Sequence, residues 1–259
     1  MSGTLEGRRV LVVGAGTRPS DDPDAPVGNG RAIAVTAGRA GATVGCADRD
    51  EEAARFTAAL VEAEGTPAHV LPADVSEPAA CADLITAAVA AMGGLDGLVL
   101  NVGIGLGRGM TGTTAEEWDA VFAVNVRAHF LLAGAALEVM PEGSAIVFIS
   151  SIAGLTAGTR IPSYDSSKSA LLGLCRQTAA EGARKGIRAN IVAPGLIDTP
   201  LGRAATGGRP SRAKAPVPLG RQGTAWEVAE PVVFLLSDAA SYITSQQLVV
   251  DGGITGCRG

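Results

Sequence analysis

The sequence predicts an α/β fold: a doubly wound parallel sheet of seven strands with helices on both faces, stacked as three layers. Short apolar runs alternate with longer Ala-rich stretches along the whole chain, which is the pattern of repeated βαβ units. Runs such as LVVG and IVFIS are apolar at consecutive positions, as in strands covered on both faces. The 259 residues are 47% hydrophobic and only 3% aromatic. A chain of this length buries a core without disulfide or metal, and that core must consist mainly of Ala, Val, Leu and Ile.

The first strand is expected at Arg9–Val13, where an apolar run meets Gly14. The Ala-rich segment RAIAVTAGRAG predicts a helix over 29–40, followed by a strand at Thr43–Cys46. A helix over 50–64 leads to a strand at Ala68–Leu71, and a helix over 77–92 to a strand at Gly97–Asn101. The long Ala-, Leu- and Val-rich stretch 115–140 predicts one helix before the strand Ala145–Ile149. Helix 162–185, strand Arg188–Val192, helix 225–237 and strand Gln247–Val250 complete the pattern. Right-handed crossovers then wind the sheet in both directions. No repeat or linker divides the chain, so residues 1–259 form one domain. Segment 196–224 is long, irregular and rich in Gly, Pro and Arg, as expected of a substrate lid.

The net charge of −5 argues against a general nucleic-acid binder. Cys46, Cys81, Cys175 and Cys257 are scattered, with no C-x-x-C pair, which suits a reduced, cytoplasmic protein. The start MSGTLEGRRV has no apolar signal region. No apolar run reaches the roughly 18 residues of a membrane span.

The chemistry begins after the first strand. Ligands of such sheets bind beyond the carboxyl ends of the strands. Gly14 and Gly16 allow tight turns there, and Gly28-Asn29-Gly30 opens the next helix. A glycine-rich helix start lets backbone N–H groups approach a phosphate. Asp48 ends the second strand, 18 residues after Gly30 but 34 after Gly14. An acid about 20 residues past the glycines can accept from a ribose 2′-hydroxyl; capping the next helix is the alternative. Asp74 is placed to reach an adenine amino group or to close a turn. Ser151 follows the strand AIVFIS, with Tyr164 thirteen residues on and Lys168 four after that. Positions i and i+4 share a helix face, and a neighbouring ammonium favours phenolate. Acid–base work near neutrality requires a tyrosine shift of roughly 2–3 units from about 10. Asn125 is polar amid apolar neighbours on the long helix and by itself suits a satisfied buried amide.

Together these motifs resemble the short-chain dehydrogenase/reductase family, a Rossmann-fold family, over essentially the whole chain. The resemblance rests on the glycine-rich turn, Asp48, Asp74-Val75, Asn101–Gly103, Asn125, Ser151, Tyr164, Lys168, Pro194-Gly195 and Asp251–Gly253. It implies that Tyr164 is general acid for ketone reduction and base for alcohol oxidation. Lys168 would hold the nicotinamide ribose, Ser151 would orient the substrate oxygen, and Asn125 would hold a water in a relay toward Lys168. Asn101 and Gly103 would lie along the cofactor, and Ile197 and Thr199 would meet the carboxamide. Asp48 would select NAD over NADP. Two readings stay open beside an NAD-dependent alcohol dehydrogenase acting on a small-molecule alcohol or carbonyl. One is an NADP-dependent ketoreductase of acyl thioesters, with Arg18, Arg31 or Arg49 reaching the 2′-phosphate. The other is a non-catalytic dinucleotide-binding protein on the same fold.

The chain departs from the family pattern in three places. Val13 and Leu100 replace the usual threonine and first asparagine. Thirteen residues separate Gly14 from Gly28 where the family has three, so ten are extra. The segment Thr17–Val27, with Pro19, Pro23 and Pro26, is expected to bulge outward, its ends still cradling phosphates and Arg18 folding back. His69 and His129 have no metal-like spacing and are expected to be structural, as are Trp118 and Trp226. Helices 115–140 and 162–185 are expected to pair in a homodimer or homotetramer. Arg203, Arg209, Arg212, Lys214 and Arg221 in the lid face a single acid, Asp198, and could attract an anionic substrate or simply be solvated.

Overall fold

The computed structural model describes residues 4–17, 24–207 and 217–257. A seven-stranded sheet runs in the order β3-β2-β1-β4-β5-β6-β9, with every neighbouring pair parallel. The strands are β1 (Arg9–Val13), β2 (Thr43–Asp48), β3 (Ala68–Pro72), β4 (Gly97–Leu100), β5 (Ala145–Ile149), β6 (Arg188–Pro194) and β9 (Gln247–Val250). The chain winds outward from β1 to β3, returns to β4 beside β1, and winds the other way. That reversal creates a crevice at the carboxyl ends of β1 and β4.

Alternate residues of each strand enter different cores. Val10 and Val12 pack with Val44, Cys46, Val99, Val147 and Val192 on one face. Helices α1 (Asn29–Arg39), α2 (Glu51–Ala63) and α8 (Ala225–Leu236) cover this face. Leu11 and Val13 pack with Leu98, Leu100, Ile146, Phe148 and Ile191 on the other. There α3 (Pro78–Met92), α5 (Ala128–Val139) and α6 (Pro162–Gly182) close the core. Two buried faces explain why the strands read as continuous apolar runs.

Several boundaries differ from the sequence reading. β2 extends to Asp48 and β6 to Pro194 because β3 and β9 supply partners that far. β4 stops at Leu100, where the N–H groups of Asn101 and Val102 both turn to Val13 O, each at 3.0 Å. The single helix expected over 115–140 is α4 (Ala115–Phe122), a π-helical turn at Ala123–Arg127, and α5. Such turns insert a residue into a helix and often mark functional sites. Helix 162–185 ends in a 3₁₀ turn, Ala183–Lys185, before Gly186 at φ 68°. The described residues of segment 196–224 include β7 (Ile197–Asp198), α7 (Pro200–Gly207) and β8 (Gly223–Thr224). Pairing of β7 with β8 ties its two ends together.

The helical stretch Ala115–Val139, with mean hydropathy 1.6, is long and apolar enough to cross a bilayer. This corrects the expectation that no segment reaches that threshold. The average conceals Asn125 and His129, both wholly buried and hydrogen-bonded to backbone at the end of β4. Core packing accounts for the apolar composition.

Candidate active site

Parallel strands bring their carboxyl ends to one side, and a cleft opens there. Its lining includes Gly14, Gly16, Thr17, Gly28, Asn29 and Gly30 from the first turn, and Asp48, Asp74, Val75, Asn101 and Gly103 from the next strands. Tyr164, Lys168 and Thr199 complete it. These residues span most of the sequence reading of the site. Ser151 follows Ser150, a lining residue that the sequence reading passed over; Asn125 follows lining Val124, and Pro194, Gly195 and Ile197 lead along the chain to lining Thr199.

The separated glycines close into one cradle. Gly14 sits at φ 83°, in the left-handed region that favours glycine. A Cβ on Gly30 would lie 1.8 Å from Gly14 O, so α1 approaches β1 as only glycine permits. Asn101 Nδ2 donates to the same Gly14 oxygen at 2.8 Å. This bond secures the corner although Val13 and Leu100 depart from the family pattern. Across the extra residues, Gly28 N donates to Thr17 Oγ1 at 3.0 Å. The hydroxyl thus ties Thr17 to Gly28 at the start of α1. Arg18, Pro19 and Pro23 lie outside the described residues. Among the described residues Asn29 Oδ1, in a residue that lines the cleft, is a buried acceptor without a partner. An orphaned acceptor beside a glycine cradle fits a ligand that brings hydroxyl or N–H donors, while the free backbone N–H groups at a helix start suit its phosphate.

Asp48 accepts from Gly16 N at 2.9 Å and from Asp50 N at 3.1 Å. The cap of α2 is Asp50, which accepts from Ala53 N, so the capping alternative for Asp48 does not hold. Arg31 donates to Thr57 Oγ1 and lies 4.6 Å from the Phe56 ring centroid. Burial lowers its pKa, with Asp48 opposing. Arg49 lines the cleft. Asp74 accepts from both the hydroxyl and the N–H of Ser76, which hold its carboxyl below the usual range.

Tyr164 and Lys168 lie one turn apart on α6, with the ammonium 5.7 Å from the ring centroid. Lys168 is buried and donates to Ile149 O at 2.9 Å, and burial pushes its pKa down to about 8. A Cβ on Gly103 would come within 3.2 Å of that nitrogen, so glycine there leaves room for the lysine. Ser150 Oγ donates to Lys168 O and pins α6 to the end of β5. Ser151 accepts from Ala153 N and caps a 3₁₀ turn at Ile152–Gly154.

Asn125 occupies the π turn. Its Oδ1 accepts from Ile104 N, while Nδ2 donates to Ile104 O and Ser167 Oγ, all at 2.9 Å. Both amide protons are used. They brace the turn after β4 against α6. His129 proves structural, as expected. Its Nε2 meets Val102 O at 3.1 Å, and burial, then the charge of Lys168, depresses its pKa to about 3.

Beyond Pro194, Gly195 N donates to Val250 O. A Cβ on Gly195 would fall 2.5 Å from Asp251 Cβ, so close packing demands glycine. Thr199 Oγ1 accepts from Gly202 N and starts α7 at the cleft.

Fold and cleft together define a Rossmann-type dinucleotide-binding protein with a tyrosine–lysine pair beside the cradle. The chain belongs to the short-chain dehydrogenase/reductase family, oxidoreductases of alcohols and ketones that use nicotinamide dinucleotides. A family model described as enoyl-(acyl carrier protein) reductase matches residues 26–255, beginning just before the second glycine group. The chain is 37% identical over 263 residues to 2-(S)-hydroxypropyl-CoM dehydrogenase 3 of Xanthobacter autotrophicus, covering 98% of this chain and 99% of that protein. It is 41% identical over 232 residues to an inactive 2-(S)-hydroxypropyl-CoM dehydrogenase 2 of the same organism, covering 86% and 99%. Among solved structures, a putative 2-deoxy-D-gluconate 3-dehydrogenase from Agrobacterium tumefaciens with bound NADP is similar, at TM-score 0.86 and 35% identity. That match covers 98% of each chain.

Proposed function

We propose that this protein is an NAD(H)-dependent dehydrogenase or reductase of secondary alcohols and ketones. The observation that carries the reading is Tyr164 and Lys168 side by side in the glycine-cradled cleft. The bound cofactor supplies or accepts the hydride. Tyr164 gives its phenolic proton to the substrate oxygen during reduction and takes it back during oxidation. Lys168, held by Ile149 O, favours the phenolate by its charge and is positioned to hold ribose hydroxyls. Ser151 orients the substrate oxygen from the turn after β5. Gly14, Gly28 and Gly30 receive the pyrophosphate at the start of α1. Pro194, Gly195 and Ile197 shape the shelf from which Thr199 meets the carboxamide.

Asp48 at the end of β2 supports NAD, since a carboxylate accepts from a ribose 2′-hydroxyl and repels a 2′-phosphate. Arg49 in the cleft and the NADP-bound structural relative favour the second reading, an NADP-dependent ketoreductase. The inactive relative shows that such a chain can lack turnover. The Tyr164–Lys168 pair favours catalysis over a binding role alone. Exposed Phe130 and Trp118 on α5 and α4 support a homodimer or homotetramer through these helices and α6. Three buried cysteines suit a cytoplasmic setting.

A panel of secondary alcohols, sugars, steroids and hydroxy acids, assayed with NAD and NADP by reduced-cofactor absorbance, tests this. Faster initial rates with NAD support the reading. Faster rates with NADP select the ketoreductase reading, and cofactor binding without turnover selects the non-catalytic one.

A further inference from the structure

The sequence leaves the arginines of segment 196–224 with two readings, anion attraction and simple solvation. In the structure Arg203 is bidentate on Asp198, at 2.8 and 3.0 Å, and Arg221 is held by both carboxylate oxygens of Glu227. Arg209, Arg212 and Lys214 lie outside the described residues. Two further exposed cations lie on the segments that follow β4 and β5. Arg108 and Arg160 are both exposed, and neither side chain has a hydrogen bond or ion pair among the described residues.

These two arginines belong to segments that enclose the tyrosine. A Cβ on Gly105 would lie 3.5 Å from the Tyr164 ring, and Ser163 Oγ donates to Leu106 O at 2.9 Å. Arg108 follows Gly105 by three residues, which an extended chain spans in at most about 11 Å. Arg160 precedes Tyr164 by four residues. The two segments are stitched together by Gly109 N donating to Arg160 O at 2.8 Å. Arg160 holds φ 62°, a conformation uncommon outside glycine. Neither 104–113 nor 151–161 contains an Asp or Glu, although the chain as a whole is acidic. The nearest following acid, Asp165, accepts from the Thr159 hydroxyl. Exposed Met110 and Leu155 lie on the same segments.

We propose that Arg108 and Arg160 form an anion-recognition site beside Tyr164, so that the preferred substrate is a ketone or secondary alcohol carrying a carboxylate, sulfonate or phosphate. Guanidinium groups match such oxyanions with paired hydrogen bonds. Leu155 and Met110 give the connecting carbon chain an apolar surface. This deepens the dehydrogenase reading and rests on it.

The test uses matched substrates differing only in charge: acetoacetate and 5-oxohexanoate, each against its methyl ester, reduced with the preferred cofactor. The readout is the ratio of kcat/KM for the acid to that for the ester, in the parent protein, Arg108→Gln and Arg160→Gly. Glycine at 160 accommodates the positive φ. The ratio should exceed one in the parent and fall at least about tenfold in the double variant. Added salt should raise KM for the acids more than for the esters. A parent ratio at or below one, or a ratio that neither substitution changes, overturns the anion site and leaves the dehydrogenase reading intact. No turnover across this panel and the alcohol panel, with cofactor bound, overturns the dehydrogenase reading and the anion site with it.

Discussion

Replacing Lys168 with methionine should make the protein's stability less dependent on alkaline pH. Burial lowers the lysine pKa from 10.5 to about 8, and among the described residues only Ile149 O receives a hydrogen bond from the ammonium. Above about pH 10.5 the side chain is neutral in both folded and unfolded chains and carries no penalty. Between pH 8 and 10.5 the unfolded chain binds the proton that the folded one releases, so stability rises with pH. Below pH 8 both states are charged and the full penalty applies. One pKa unit is worth about 1.4 kcal/mol, giving a penalty of about 3 kcal/mol at pH 7.5 and about 1 kcal/mol at pH 9.5. The parent should therefore gain about 2 kcal/mol over this interval relative to Lys168→Met. For a chain of this size that is a relative rise of roughly 4–8 °C in Tm. Thermal unfolding of both proteins, cofactor-free and at equal concentration, measures it. Parallel pH curves would refute the claim that Lys168 is buried as a costly cation.

Gly30→Ala should abolish cofactor binding and destabilise the fold by at least about 1–3 kcal/mol, because the new methyl meets the backbone oxygen of Gly14; calorimetry and NADH titration read both effects. Shortening the thirteen residues between Gly14 and Gly28 to three, with Thr17 retained next to Gly28, should leave NADH affinity within a few fold. Long loops add only about 0.6 kcal/mol per doubling of length, so a large loss would place the insertion itself in the cofactor site. Asp48→Ala should weaken NADH binding and narrow the gap to NADPH, measured as the two dissociation constants; an unchanged ratio removes Asp48 from cofactor selection.

The fold was legible because burial on both sheet faces leaves an unmistakable run of apolar residues at each strand. Val10 to Val13 divide between two cores, and nothing but a covered strand needs that. The glycine cradle was also legible, since the offset from Gly30 to Asp48 has the ordinary length although thirteen residues separate Gly14 from Gly28. The π turn at Ala123–Arg127 was not legible. Its residues are as apolar as an α-helix, and the insertion shows only in the hydrogen bonding that seats Asn125. The Thr17 clasp likewise depends on two residues eleven apart meeting in space. Nor could composition tell a free lid arginine from a paired one: Glu227, the partner of Arg221, lies beyond the lid on α8.

The central claim is that Tyr164 moves the proton at the substrate oxygen. Tyr164→Phe keeps the ring against Gly105 and removes only the hydroxyl. NADH affinity, followed by fluorescence titration, should stay within a few fold of the parent. Turnover of the best substrate should fall at least about a hundredfold. A variant that binds NADH and turns over at the parental rate would contradict the account.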